Sequence, residues 1–227
     1  MLGKSYSRLK TLTLSTNLHL FMLDKIIAID LFCGAGGLTH GLINAGVKVI
    51  AGIDIDGESK YPYEKNHPGS KFIHKCITKT TTNDLNKIFG KAKVRLLAGC
   101  CPCQPFSKLT NGKKKHADFD LISHFTRLIK SVEPEIVIME NVPELPQKGE
   151  ILLHRFLHAL KQKKYEFDFK IVNCEEYGVP QARRRFALVA SRIGKIKLPK
   201  GGCKKFKTVR STIGKLKPVD VGKEDPK

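Results

Sequence analysis

The sequence predicts an α/β fold, a doubly wound and mostly parallel sheet, on three observations. Short apolar, β-rich runs alternate with stretches of helical spacing, the order that builds right-handed crossovers between parallel strands. A glycine-rich turn follows the first of those runs directly. The side chains best suited to chemistry fall just behind the apolar runs, and loops at the carboxyl ends of parallel strands converge on one cleft.

Residues 26–32 form the first strand, continuously apolar apart from Asp30, as expected of a strand covered on both faces. Glycines then intervene, and residues 38–45 have helical spacing. Residues 47–53 read as the second strand, 71–77 as the third and 94–98 as the fourth. A helical pattern covers 118–131, a fifth strand 135–139, another helix 151–162, and a late strand 185–190.

With 227 residues, 41% hydrophobic and 27% charged, the chain is globular in composition and long enough for one domain or two small ones. It contains no apolar run of about 18 residues, so no membrane span is expected. A net charge of +20 points to a polyanionic partner, nucleic acid above all. Seven cysteines, three of them crowded at Cys100, Cys101 and Cys103, suit reduced thiols in the cytoplasm better than a disulfide framework. No metal is expected, because Cys100 and Cys103 lack two further tetrahedral ligands. His154 and His158 lack the glutamate of a zinc-protease motif and read as a solvated face.

The ends differ from the middle. Residues 1–21 carry Lys4, Arg8 and Lys10 with no acids and are expected to be an extension ahead of a start at Met22. Residues 22–192 hold all the candidate site residues. Residues 193–227 form a basic tail; from Arg192 onward there are 12 basic and 3 acidic residues, which suits a flexible or partner-dependent segment.

Four loops carry the chemistry. Behind the first strand, Gly34, Gly36 and Gly37 allow a ligand to approach the backbone at a helix start, without the spacing of the dinucleotide fingerprint. Behind the second, Asp54 is placed to accept bonds from a ribose diol, and Asp56 serves equally well as a helix cap. Behind the fourth, Pro102 and Pro105 stiffen the turn around Cys103, a candidate nucleophile, while Cys100 and Cys101 read as buried, inert thiols. Behind the fifth, Glu140 sits at a strand terminus where partial desolvation favours a proton. Arg183 and Arg185 precede the late strand, two apart and so on one side, with Arg184 facing away.

The motifs Asp30-Leu-Phe-Cys-Gly-Ala-Gly-Gly, Pro102-Cys-Gln-Pro-Phe-Ser, Glu140-Asn-Val and Gln181-x-Arg-x-Arg, in this order, resemble the DNA (cytosine-5)-methyltransferase family. The resemblance implies the Rossmann-like fold of S-adenosylmethionine-dependent methyltransferases, of the prokaryotic restriction–modification type. It implies a cofactor site made by Asp30, Phe32, Gly34, Gly36, Gly37, Leu38, Asp54, Ile55, Ile77 and Pro102, with Phe32 against the adenine and Asp54 on the ribose. It further implies that Cys103 adds to carbon 6 of a cytosine flipped out of double-stranded DNA. Glu140 would bond ring nitrogen 3, Asn141 would shape the cysteine loop, and Arg183 and Arg185 would hold the base and its surroundings. Residues 113–115, three lysines, match the family's mobile loop, where phosphate contact is expected.

The match has departures. Cys76 stands before Ile77 where the family usually has an acid, and Thr208-Val-Arg-Ser-Thr-Ile-Gly-Lys-Leu resembles the stretch just before the family's target-recognition domain. The expectation is a catalytic portion without its base-reading half: either one part of a split enzyme completed by a second polypeptide, or a truncated remnant. An RNA cytosine methyltransferase and an inactive DNA-binding remnant are the alternatives.

Overall fold

The apolar runs become the strands of one seven-stranded sheet in the computed structural model, which describes residues 25–102, 121–203 and 205–216. The first half alternates β1 (Ile26–Leu31), α1 (Gly37–Asn44), β2 (Lys48–Asp54), α2 (Lys60–Asn66), β3 (Lys71–His74), α3 (Thr82–Phe89) and β4 (Val94–Gly99). The second continues with α4 (Leu121–Val132), β5 (Ile136–Asn141), α5 (Leu145–Lys148), α6 (Glu150–Gln162), β6 (Glu166–Asn173), β7 (Arg184–Ser191) and α7 (Val209–Ile213).

The strand order is β3-β2-β1-β4-β5-β7-β6. Strands β1 to β5 pair in parallel, and β7 runs antiparallel between β5 and β6. The sheet is therefore mostly parallel, as predicted. Its order reverses beside β1 and β4, so a crevice opens outside their carboxyl ends.

Alternation along the strands loads both faces. Ala28, Val49, Leu96 and Ala98 meet Leu42 of α1 on one side. Ile29, Leu31, Leu97, Val137 and Met139 meet Phe89 of α3, Phe125 and Leu128 of α4, and Phe156 and Leu160 of α6 on the other. Each of the larger buried side chains contributes about 1.5–3 kcal/mol. By the same alternation Asp30 lies on the Ala28 face, beneath α1.

The structure adds and trims elements. Strand β3 ends at His74, short of the predicted 77, because the chain turns into a 3₁₀ turn at Ile77–Lys79. Helix α3 is opened by a capping box: Thr81 Oγ1 accepts from Asp84 N at 3.1 Å and Asp84 Oδ2 accepts from Thr81 N at 2.8 Å. The early part of the basic tail lies along the outer strand β6. There Leu198 N donates to Asp168 Oδ2 at 2.9 Å and Lys170 Nζ to the Pro199 carbonyl at 2.6 Å. The predicted extension over residues 1–21 lies outside the described residues. Among the described residues, no helix is long and apolar enough to cross a membrane.

Candidate active site

Where β1 ends, the chain bends sharply. Phe32 adopts φ 58°, a left-handed conformation that costs energy for any residue with a side chain and that recurs at ligand sites. The bend is held to β2, because Phe32 N and Cys33 N both donate to the Ile53 carbonyl, at 2.8 and 3.3 Å. Gly34, at φ 50°, donates its N–H to Asp54 Oδ2 at 2.8 Å. Asp54 Oδ1 accepts from Asp56 N at 2.9 Å, and each oxygen keeps a second lone pair. Asp56 caps the following 3₁₀ turn through Glu58 N at 3.1 Å, so it acts as the cap residue.

These loops enclose a cavity of about 460 Å³ walled by Phe32, Asp54, Ile55, Cys76, Ile77 and Pro102. Five of the predicted residues thus share one wall. Ile53, Lys75, Thr78, Cys100 and Leu121 complete it and were not anticipated. Lys75 is tied back by an ion pair with Asp84 at 2.6 Å. The Cys76 thiol bonds the Thr78 hydroxyl at 3.0 Å, which holds its pKa below the ordinary thiol value. The cavity has apolar faces and a carboxylate at one strand end, the chemistry that suits a planar ring carrying a vicinal diol.

The remaining predicted residues sit behind that wall. Gly36 has φ 94°, and a Cβ there would lie 2.3 Å from His67 Cε1, so its Cα faces packed side chains. A Cβ at Gly34 or Gly37 would have none of the described residues within 4 Å, and the backbone is open to close approach there. Leu38 packs against the Ala28 cluster on the α1 face. Asp30 is fully buried; its Oδ2 accepts from Thr39 N at 3.1 Å and Thr39 Oγ1 at 2.7 Å. Burial pushes its carboxyl up to about 7 against the lowering effect of those two bonds.

A second cavity, about 510 Å³, opens beyond β5 and is lined by Val142, Pro143, Glu144 and residues 181–185. Arg184, read from the sequence as facing away, borders it together with Arg183 and Arg185. In the antiparallel β5–β7 ladder Glu140 pairs with Ala187, which places Arg185 diagonally across on the same face. Their side chains meet there, with Arg185 Nε 2.7 Å from Glu140 Oε1 and both groups half-buried. The Arg185 guanidinium therefore faces the Glu140 carboxyl group directly.

Glu140 also links the two cavities. Its charge reaches the Cys100 thiol in the wall of the first cavity: burial, then the charges of Asp30 and Glu140, push that thiol well above the ordinary value. Buried Asn141 donates from Nδ2 to the Cys101 carbonyl at 3.2 Å and accepts Val142 N on Oδ1 at 2.8 Å, tying β5 to the segment behind β4. Cys103 and residues 113–115 lie outside the described residues. Among the described residues no cluster of His, Cys, Asp or Glu is placed to hold a metal.

The C-5 cytosine-specific DNA methylase family matches residues 26–225. The type II methylase M.HgiDII of Herpetosiphon aurantiacus is 42% identical over 192 residues, covering 83% of this chain and 54% of that protein. M.XorII of Xanthomonas oryzae is 32% identical over 177 residues, 76% of this chain and 42% of its own length. Among solved structures, a prophage-encoded DNA modification methyltransferase from E. coli superposes with a TM-score of 0.73 at 24% identity, over 86% of this chain and 56% of its own. The chain therefore spans about half the length of the curated relatives it matches. On the family match and the 42% identity to a type II methylase, the chain belongs to the C-5 cytosine-specific DNA methylase family.

Proposed function

We propose that this chain is the catalytic and cofactor-binding part of an enzyme that methylates carbon 5 of cytosine in double-stranded DNA, with S-adenosylmethionine as donor. The observation that carries the proposal is the position of Glu140, between the apolar cavity at Phe32 and the arginine-bordered cavity at Arg183 to Arg185. The first cavity fits the cofactor: Phe32, Ile55 and Ile77 supply apolar faces for an adenine, Asp54 acceptors for a ribose, and Gly34 and Gly37 open backbone beside it. Bound there, S-adenosylmethionine supplies an electrophilic methyl group on a sulfonium.

The chain's own residues prepare the base. The Cys103 thiolate adds to ring carbon 6 of a cytosine taken out of the stack, and charge develops on the ring toward nitrogen 3. Glu140 in its protonated form hydrogen-bonds ring nitrogen 3 and stabilises that charge, and Arg185 fixes where the carboxyl group points. Carbon 5 becomes nucleophilic and takes the methyl group. Loss of its proton to a base, with departure of the Cys103 thiolate, restores the ring. Arg183, exposed beside the same cavity, holds the flanking backbone by charge.

Base reading belongs to the remaining half of the full-length relatives, in the same polypeptide or in a second one. Val209 and Ile213 on α7, with Phe206 just before it and Leu216 just after, are 52–71% exposed, an apolar patch on which we place that half.

Methyl transfer from labelled S-adenosylmethionine to duplex DNA tests the reaction, with and without the rest of M.HgiDII outside its matched 192 residues. Activity is expected with that complement and to vanish in Cys103→Ala, together with covalent trapping by a fluorinated cytosine. Cys100→Ala is expected to keep trapping. Equal loss in the two variants, or methylation of tRNA in preference to duplex DNA, overturns the proposal.

A further inference from the structure

Beneath the loop behind β1 lies a chain of buried hydroxyls that ends on Asp30. Thr39 Oγ1 donates to Asp30 Oδ2 at 2.7 Å, so it must accept from its other neighbour, the Tyr63 hydroxyl, 3.2 Å away. Tyr63 in turn accepts from Ser70 Oγ at 2.8 Å. All four residues are 6% exposed or less. Three hydroxyl dipoles therefore point the same way, toward one carboxylate oxygen, and hydrogen bonds in series strengthen one another.

The backbone is shaped around this chain. A Cβ at Gly52 would lie 2.5 Å from Tyr63 Cζ, and one at Gly36 3.0 Å from Tyr63 Cδ2. His67, whose Nδ1 lies 2.7 Å from the Tyr63 carbonyl, fills the remaining space under Gly36. Helix α1 has no acid in its first turn and a glycine at its N-cap, so Asp30 supplies from β1 the acceptor its N-terminal N–H groups need. The Asp30–Thr39 clasp thereby closes the whole bend that carries Phe32 and Gly34.

We propose that Tyr63 is a positioning residue for this bend: through Thr39, its hydroxyl sets the placement and the ionisation of Asp30. The carboxyl group is faced by Thr39 from α1, Tyr63 from α2, Asp54 from β2, Cys33 from the bend and Cys100 from the end of β4. Of these, Asp54 disfavours the charged form and the hydroxyl chain favours it. Asp30 Oδ1 is buried without a hydrogen-bond partner among the described residues, so the charged form rests on the bonds made at Oδ2.

The direct test is the titration of the Asp30 carboxyl carbon by NMR in the full chain, in wild type, Tyr63→Phe and Ser70→Ala. Removing a donor from the chain weakens the Thr39–Asp30 bond without breaking it and raises the pH at which Asp30 ionises by on the order of 0.1–0.5 unit. Tyr63→Phe keeps the ring under Gly52 and Gly36, and Ser70→Ala leaves Tyr63 intact, so at least one variant retains the fold. A second measurement, S-adenosylmethionine affinity against pH, rests on the cofactor reading proposed above. Affinity should fall by up to about twofold at neutral pH in Tyr63→Phe, with the loss on acidification starting at a higher pH. An Asp30 midpoint unmoved in both variants overturns the inference. Failure of the wild type to bind cofactor overturns the cofactor reading instead, and leaves the titration to decide the role of Tyr63.

Discussion

Three glycines near the cofactor cavity differ in what their missing side chain makes room for, and alanine substitution separates them. At Gly36 two costs combine: a left-handed φ of 94° and a Cβ 2.3 Å from His67 Cε1, on a ring that is itself buried. The conformation costs about 1–2 kcal/mol and the overpacking about 1–3, so Gly36→Ala should lose roughly 2–5 kcal/mol. For a chain of this size that lowers the melting temperature by on the order of 5–15 °C. Gly52→Ala has only the steric part, 2.5 Å from Tyr63 Cζ, and should lose about 1–3 kcal/mol. Gly37 begins α1 with an ordinary φ and nothing within 4 Å, so Gly37→Ala should be neutral or gain up to about 1 kcal/mol. If the backbone there is where a ligand approaches, the same Gly37→Ala should weaken S-adenosylmethionine binding, because the new methyl group occupies the open side. Thermal unfolding by circular dichroism and titration calorimetry on the three variants read both quantities. The reasoning fails if Gly36→Ala melts with the wild type, or if Gly37→Ala melts as low as Gly36→Ala.

Arg185→Ala, in the presence of the base-reading half, should lower methyl transfer by about 10²- to 10³-fold while leaving cofactor affinity within about twofold, since the guanidinium touches Glu140 and not the first cavity; parallel rate and calorimetric measurements check this, and an equal loss in both would mean that Arg185 only supports the fold. Serine at Phe206, Val209, Ile213 and Leu216 together should leave the melting temperature of the chain unchanged, because these side chains are already exposed, and should abolish co-purification with the remainder of M.HgiDII. Co-purification of the serine variant would place the docking surface elsewhere.

Legibility in the sequence followed burial. Strands β1, β2, β4 and β5 are covered on both faces and read as continuous apolar runs, so their positions were evident. Strand β6 lies at the sheet edge and alternates Phe167, Phe169 and Ile171 with Asp168 and Lys170, a period-two pattern that a search for continuous runs passes over. The Thr81-x-x-Asp84 box at the start of α3 was a readable signal of the same kind. Phe32, Asp54, Ile55, Ile77 and Pro102 were grouped by the family resemblance, and they come together because each lies at or beyond the carboxyl end of a parallel strand. The neighbours of Gly36 could not, since His67 and Tyr63 come from a helix 27 to 31 positions further on, and only the tertiary fold brings them beneath it.

The two cavities are one device because β4 and β5 are adjacent and parallel. Their carboxyl ends lie side by side in register, Gly99 beside Met139, so the next residues of the two strands must meet. Those residues are Cys100 behind β4 and Glu140 on β5, with Asn141 bonding the Cys101 carbonyl one step further. A shift of β5 that suits Glu140 to its base therefore carries the peptide around Cys101 with it, and Cys100 moves in the wall of the first cavity. If occupancy of one cavity shifts β5, the Asn141–Cys101 bond gives that shift a route to the other, and by reciprocity the coupling would run in both directions. Asn141→Ala cuts the tie while leaving both cavity walls in place. Its signature would be independence: cofactor affinity that no longer responds to added duplex DNA, in a protein still able to bind each one. If the two affinities remain linked in that variant, the coupling runs through Glu140 and Cys100 alone, and the amide at Asn141 serves only the fold.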